Sequence, residues 1–281
     1  MRELAWPTRT AAWILVGFLV LPFLIVIPVS LTDRAYLSMP EHALSLSHYH
    51  ELIADQDWRA AFGRSCFVAA VTMVLSVTIG SMCALGAWRL PPKAENAIRL
   101  FVLLPLIVPG IVQGLAFYRT WVDLRLINTY PGIIIAHTIT AMPFVFIAVS
   151  AALANVDPRL EMASRSLGAG NRQTLWWVLV PMVLPGILSG ALFAFVHSFD
   201  ELIIVLFITT LGIDTLPKMM WNSIEHDVTP AVACVAVLLG FLTFLLLSME
   251  WLLRSMAERS QATSAERDVG PVQPAHAGRL E

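Results

Sequence analysis

The sequence predicts an all-α, polytopic membrane protein with about six transmembrane helices. Three observations predict it. Only 14% of the 281 residues are Asp, Glu, Lys or Arg and 57% are apolar, against about 25% charged in an average soluble domain. Charge is absent from whole stretches rather than thinned evenly: Thr10–Thr32, Ser65–Trp88, Leu100–Tyr118, Leu126–Val156, Gln173–Phe199 and Val228–Met249 carry none. Each is close to the ~20 apolar residues a helix needs to cross ~30 Å of hydrocarbon. The runs are also continuously apolar rather than alternating, which speaks against a barrel of strands. The same composition excludes an ordinary soluble enzyme and a disordered chain. A net charge of −2 offers no basic face for nucleic acid.

The first helix, roughly Ala11–Leu31, follows Arg2 and Arg9. Its apolar run is too long for a signal peptide and no A-x-A site follows, so it reads as an uncleaved anchor. The second helix is about Phe62–Trp88 and the third Ile98–Tyr118, where Pro105, Pro109 and Gly110 predict a kink. The fourth is Pro131–Leu153, the fifth starts near Pro181, and the sixth is about Pro230–Leu253. Ser76, Gly80 and Ala84 share one face of the second helix, and Gly186, Gly190 and Ala194 share one face of the fifth. Such small-residue rows let helix backbones approach in lipid, within one subunit or between two. The membrane domain is residues 1–256, with a cytoplasmic loop at 154–180. The polar tail 257–281, with its Gly, Pro, Ser and Ala, reads as a disordered cytoplasmic segment.

Orientation follows from the basic residues. With the N-terminus inside, the cytoplasmic segments hold twelve: Arg2, Arg9, Arg89, Lys93, Arg99, Arg159, Arg165, Arg172, Arg254, Arg259, Arg267 and Arg279. The outer segments hold five, Arg34, Arg59, Arg119, Arg125 and Lys218, with Arg64 at a boundary. Both termini are therefore expected in the cytoplasm. Trp58, Trp88, Trp121, Trp176, Trp177 and Trp251 sit near expected helix ends, as an aromatic belt would. Neither lysine follows a glycine, so the chain has no P-loop for ATP. No C-x-x-C, H-E-x-x-H or other metal-ligand spacing occurs, and Cys66, Cys83 and Cys234 lie in apolar runs as small core residues. No cofactor and no catalytic residue is expected in this chain.

Within the loop, a short helix has both ends marked. Asp157 is a good N-cap and Pro158 suits the first helical position. Gly168 suits the position just past the end, where φ is positive. The helix Pro158–Leu167 is too short to span, and Leu160, Ala163, Ser164 and Leu167 share one face. It either docks into a groove of another protein or lies on the membrane surface as a connector.

This loop resembles the "EAA" loop of ABC-importer permeases, whose pattern is E-A-A-x-x-x-G-A with a proline thirteen residues after the glycine. The matching residues here are Gly168-Ala169 and Pro181, with Asp157-Pro158-x-Leu160-Glu161 upstream. Aligned on Gly168, the motif's glutamate position holds Met162 and its alanines are Ala163 and Ser164, while Glu161 lies one residue early, about 100° around the helix. Further on, Pro185-Gly186-Ile187-Leu188-Ser189-Gly190, Ser198-Phe199-Asp200-Glu201, Thr215-Leu216-Pro217 and Thr229-Pro230 resemble the second permease subunit of spermidine/putrescine-type importers. The resemblance covers roughly Phe62–Arg254 and is strongest over Asp157–Ala233.

The resemblance implies a type I ABC-importer permease fold and an inner-membrane subunit that translocates a small cationic solute of polyamine type. It implies three kinds of company besides the lipid bilayer: a homologous second permease, two ATP-binding cassette subunits that hold ATP and magnesium, and a periplasmic or lipid-anchored substrate-binding protein. Glu161, Met162, Ala163, Ser164, Gly168 and Ala169 would form the coupling helix that seats in the ATP-binding subunit.

Asp200 and Glu201 interrupt an apolar stretch from Pro181 to about Ile213, which is 33 residues, long for one span and short for two. The twelve residues after Glu201 cannot cross alone, so the chain is expected to bend or re-enter there. Ionisable groups at such depth usually face a cavity. At least one of Asp200 and Glu201, Asp200 ahead of Glu201, is expected to face the translocation path and attract a cationic substrate; alternatively the pair lies solvated at the outer headgroup level, or Asp200 caps a helix and Glu201 pairs with His197. His137, Gln113 and Asn222 are further intramembrane polar residues, read mainly as bonded to neighbouring backbone. Importers of an opine or an amino-acid-like solute share parts of the pattern. A stand-alone channel or secondary transporter would need more charges or inverted repeats. An intramembrane enzyme would need a constellation that only His197, Asp200 and Glu201 approach.

Overall fold

A computed structural model describes residues 5–245, apart from Leu211 and Asp227, together with Ser248. Among the described residues every regular element is a helix. The expected end of the sixth helix past Leu245, Trp251 and the tail 257–281 lie outside the described residues.

The chain runs as α1 (Ala5–Ser30), a short α2 (Ser47–Ala54), α3 (Gln56–Trp88), α4 (Pro92–Ile107) and α5 (Gly110–Leu124). Then follow α6 (Tyr130–Leu153), the loop helix α7 (Pro158–Ser166), α8 (Asn171–Thr174), a π turn at Leu175–Leu179 and α9 (Val180–Asp200). The last elements are α10 (Ile203–Ile208), α11 (Leu216–His226) and α12 (Pro230–Leu245). Four helical stretches, Thr8–Ser30, Gln56–Trp88, Tyr130–Leu153 and Asn171–Asp200, are long and apolar enough to cross a membrane. The third expected span is the broken pair α4 and α5, and the described part of the sixth is the shorter apolar α12.

The core is α6 held between α3 and α9. The small-residue rows make this possible. A Cβ on Gly80 would lie 2.9 Å from Val145 Cβ, one on Gly190 2.9 Å from Val145 Cα, and one on Gly186 2.7 Å from Ala152 Cβ. Both rows thus close on α6 within the subunit. Around this seam Val145, Phe146, Val149, Leu153, Leu179 and Val183 are fully buried. Away from the α7 end, Trp121, Ile133, Ile204, Val205 and Ile208 form a second buried cluster that joins α5, α6 and α10.

The third span, expected as one kinked helix over Ile98–Tyr118, is two helices. It breaks by 100° between Ile107 and Gly110. Pro109 forces Val108 out of the helical region (φ −79°, ψ 127°) and has no N–H to give the ladder. Gln113 repairs the break: its Nε2 donates to the carbonyls of Pro105 and Val108, both at 2.7 Å. The fifth span starts at Asn171, ten residues before the expected start, because the helix passes through Pro181 instead of beginning there. The wider π turn lies just before that proline, which cannot donate to the turn below.

The aromatic belt is also redistributed. Trp58 and Trp121 are 8% and 5% exposed, and Trp121 Nε1 donates to the carbonyl of Gly132 at 2.8 Å, so both are core residues. Trp176 and Trp177 remain exposed at the α7 end of the fifth span. In the loop after α1, Arg34 pairs with Glu41, whose N–H donates to Asp33 Oδ1 at 3.2 Å. That bond holds the Asp33 carboxyl below its ordinary range.

Candidate functional site

The loop helix α7 has the ends its sequence signalled. Asp157 Oδ1 accepts the N–H of Arg159 at 2.9 Å, and Pro158 takes the first turn. The helix ends at Ser166, and Gly168 turns the chain at φ +88°. The N–H of Ala169 returns to the carbonyl of Ser164 at 3.1 Å and that of Gly168 to Arg165 at 2.9 Å, which satisfies the last carbonyls of the helix. Gln173 Oε1 accepts the N–H of Gly170 at 3.0 Å and starts α8.

The side chains of α7 fall on two sides. Leu160, Met162, Ala163 and Leu167 are exposed, Leu167 at 89%. Ser164 turns inward, with its hydroxyl 2.8 Å from that of the buried Thr174. Glu161 also turns inward. Its Oε1 lies 2.7 Å from Arg165 Nη2 and 3.1 Å from Arg89 Nη2, and its side chain is only 13% exposed. The nine-residue helix and its C-cap Leu167 thus turn apolar side chains to solvent, while Glu161 and Ser164 tie the helix to Arg89 and Thr174 behind it.

At the other end of the fifth span, the adjacent acidic residues do different work. Asp200 ends α9 and is exposed. It lines a cavity of about 250 Å³ with Phe195, Val196 and Phe199 of α9 and Leu239, Gly240 and Thr243 of α12. The rings of Phe195 and Phe199 stack at 5.8 Å beside it. Glu201 Oε1 instead accepts the N–H of Ile204 at 3.0 Å and caps the first turn of α10. The expected His197–Glu201 alternative does not form. His197 Nε2 lies 3.1 Å from Thr140 Oγ1, and its ring packs on Phe144 at 5.0 Å. His137 is fully buried, with Nδ1 2.8 Å from Ser198 Oγ. Among the described residues no group of His, Cys, Asp or Glu side chains could hold a metal ion.

After Glu201 the chain folds back rather than crossing. A Cβ on Gly114 would lie 2.6 Å from the ring of Phe207, so α10 lies directly on α5. Asn128, in the left-handed region at φ 58°, donates its N–H to the carbonyl of Ile208 at 3.0 Å and accepts the N–H of Thr210 at 2.7 Å.

The family described as binding-protein-dependent transport system inner membrane component matches residues 76–258. The chain belongs to this family. It is 27% identical over 226 residues to the putrescine transport system permease protein PotI of Escherichia coli strain K12, with 78% of this chain and 80% of the relative covered. It is 21% identical over 241 residues to the spermidine/putrescine permease protein PotC of Haemophilus influenzae, covering 86% and 93%. It is also 27% identical over 228 residues to the molybdenum transport system permease protein ModB of Escherichia coli K12, covering 74% and 99%. The fold matches a crystal structure of a bacterial ABC transporter that imports alginate, with TM-score 0.66, 13% identity, and 91% and 96% of the two chains covered. The permease is thus a non-catalytic, multi-pass inner-membrane subunit of an ABC importer.

Several structural residues of the permease carry no sequence signal of their role. Arg89 reads only as a positive cytoplasmic charge, yet it reaches the loop helix. Lys218 reads as an outer loop charge, yet it is buried, with Nζ 2.8 Å from the carbonyl of Thr209 and 3.0 Å from Asp214 Oδ1. Gln113 is bonded to backbone, as its sequence reading favoured. Asn222 accepts on its carbonyl from His226 Nδ1 at 2.9 Å.

Proposed function

We propose that this permease moves a small cationic solute of polyamine type inward, with Asp200 on the path, and that α7 couples it to ATP-binding subunits. The observation that carries the solute reading is the Asp200 cavity. It presents one carboxylate beside the stacked faces of Phe195 and Phe199. A polyamine is a chain of methylenes between ammonium groups. A carboxylate with aromatic faces stabilises the ammonium and tolerates the methylenes. The same cavity opposes an oxyanion such as the cargo named for ModB, because it offers negative charge and no basic group among the described residues. The ammonium of an opine or an amino-acid-like solute fits the same carboxylate and is the runner-up.

The coupling reading rests on the exposed stripe of Leu160, Met162, Ala163 and Leu167 and on the Gly168–Ala169 turn that sets its direction. Glu161 and Ser164 hold the helix from behind. The assembly would contain a homologous second permease, two ATP-binding subunits carrying ATP and magnesium, and a periplasmic or lipid-anchored binding protein. Both termini would lie in the cytoplasm, in keeping with the basic residues near α7.

The test is uptake of radiolabelled putrescine by the assembled transporter in proteoliposomes. Asp200→Asn is expected to raise KM about tenfold, or ~1.4 kcal/mol, with ATPase association intact. Glu201→Gln is expected to lower thermal stability and leave KM unchanged, because its role is to cap α10. An unchanged KM in Asp200→Asn would overturn the solute path.

A further inference from the structure

Glu161 is the acidic residue in the loop nearest to the motif's glutamate, yet it points the other way. Met162, at the motif position, is 60% exposed, whereas the Glu161 side chain is 13% exposed. The one-residue offset rotates it about 100°, from the docking face to the back of the helix. There one carboxylate oxygen serves two guanidinium groups, Arg165 on the same helix and Arg89 at the end of α3.

We infer that the Glu161–Arg89 pair is the tie through which α7 moves α3, a pair of positioning residues that acts inside the permease rather than on the ATPase. The inference rests on the reading of α7 as the ATPase-docking helix. Covalently, α7 is joined to α6 on one side and to the fifth span on the other, so neither connection reaches α3. Arg89 supplies that third attachment across 72 residues of sequence. The carboxylate is mostly shielded from water, so the pair is less screened than a surface ion pair.

The far end of α3 shows what such a tie would move. This helix has 33 residues, about 50 Å of continuous rod. Near its outer end Ser65 Oγ accepts the N–H of Leu216 at 2.8 Å, and Arg64 reaches the carbonyl of Asp214 at 3.5 Å. These bonds hold the outer segment that returns from Asp200. A displacement of α7 passed to Arg89 therefore shifts both the core seam and the outer turn. Without the tie, α7 would reach α3 only indirectly, through the packing of α6 and the fifth span against it.

The experiment uses the full transporter in proteoliposomes and reads ATP hydrolysed per solute imported. Arg89→Met and Glu161→Gln are each expected to raise that ratio at least fivefold while ATPase subunits still co-purify. The double variant is expected to be no worse than either single one, because both remove the same interaction. Arg89→Lys keeps the charge and is expected to restore most of the coupling. Arg165→Met, which removes only a bond within α7, is expected to stay within twofold of the unaltered ratio. An unaltered ratio in Arg89→Met, or effects that multiply in the double variant, would overturn the tie. Leu167→Asp separates the two readings. If it leaves ATPase co-purification and uptake intact, the docking reading fails. If it abolishes co-purification while Arg89→Met changes nothing, only the tie fails.

Discussion

Gly168 and Gly190 are both required to be glycine, for different reasons. Gly168 sits at φ +88° with open space around the missing Cβ, so only the backbone objects to a side chain. Gly168→Ala should cost about 1 kcal/mol of local order. Gly190 has ordinary helical geometry, but a Cβ there would press on Val145 Cα at 2.9 Å, a backbone atom that cannot rotate away. Gly190→Ala should cost about 1–3 kcal/mol of global stability. Thermal unfolding of the purified permease in detergent is expected to show the larger drop for Gly190→Ala. The helix-end role of Gly168 was readable from its spacing to Asp157 and Pro181. The close contact of Gly190 was readable only as a row of small residues, since a row does not say which helix lies against it. The split of the acidic pair was not readable at all. Adjacent carboxylates look alike in sequence, and only the path of the backbone decides that Glu201 caps α10 while Asp200 meets the cavity.

In two elements one polar side chain pairs backbone carbonyls that a break or turn leaves open. The α4–α5 break exposes carbonyls that an unbroken helix would have paired, and Gln113 donates to two of them. Gln113→Met keeps the bulk and removes both bonds, which should destabilise the permease by about 1–3 kcal/mol. Lys218, 6% exposed, ties the end of its turn back to Thr209 and Asp214. Lys218→Met should cost about 2 kcal/mol. Asp214→Asn should cost less, because Asp214 is 40% exposed and water replaces its partner. Thermal unfolding of the two variants checks that order, and a larger drop for Asp214→Asn would refute it. The prolines announced a kink in the third helix, but not its size. A 100° turn needs α10 to pack on α5, and that contact is made between residues about 90 positions apart.

At the scale of the molecule, α1 stands apart. The Thr8–Ser30 stretch is unburied over its most apolar window, with Trp13, Phe18 and Leu19 facing outward. It is fixed near its C-terminal end, where Ser30 Oγ lies 2.7 Å from the Tyr49 hydroxyl and the Cys234 thiol donates to the Ser30 carbonyl at 3.4 Å. Phe23 leaves no room for a Cβ on Gly240. Orientation is testable on the whole chain after replacement of its three native cysteines. Leu44→Cys, in the exposed loop after α1, should react with a membrane-impermeant maleimide on spheroplasts that expose the outer face of the inner membrane. Ser166→Cys, on α7, should react only after the membrane is opened. The reverse pattern would invert the proposed topology.

The sequence by itself determined that the chain is helical and membrane-embedded, because uncharged runs of about 20 residues match the length of a spanning helix, and their continuous rather than alternating apolarity does not suit the strands of a barrel, the other structure that satisfies its backbone in lipid. It also determined where the loop helix starts and turns, because capping residues act on their immediate neighbours. Tertiary structure alone decided which helices the small residues join, how far the third span bends, and which of two neighbouring carboxylates faces a cavity. It also brought Arg89 to Glu161. These depend on groups far apart in the chain meeting in space, and apolar runs that read alike in sequence do not encode which run lies against which.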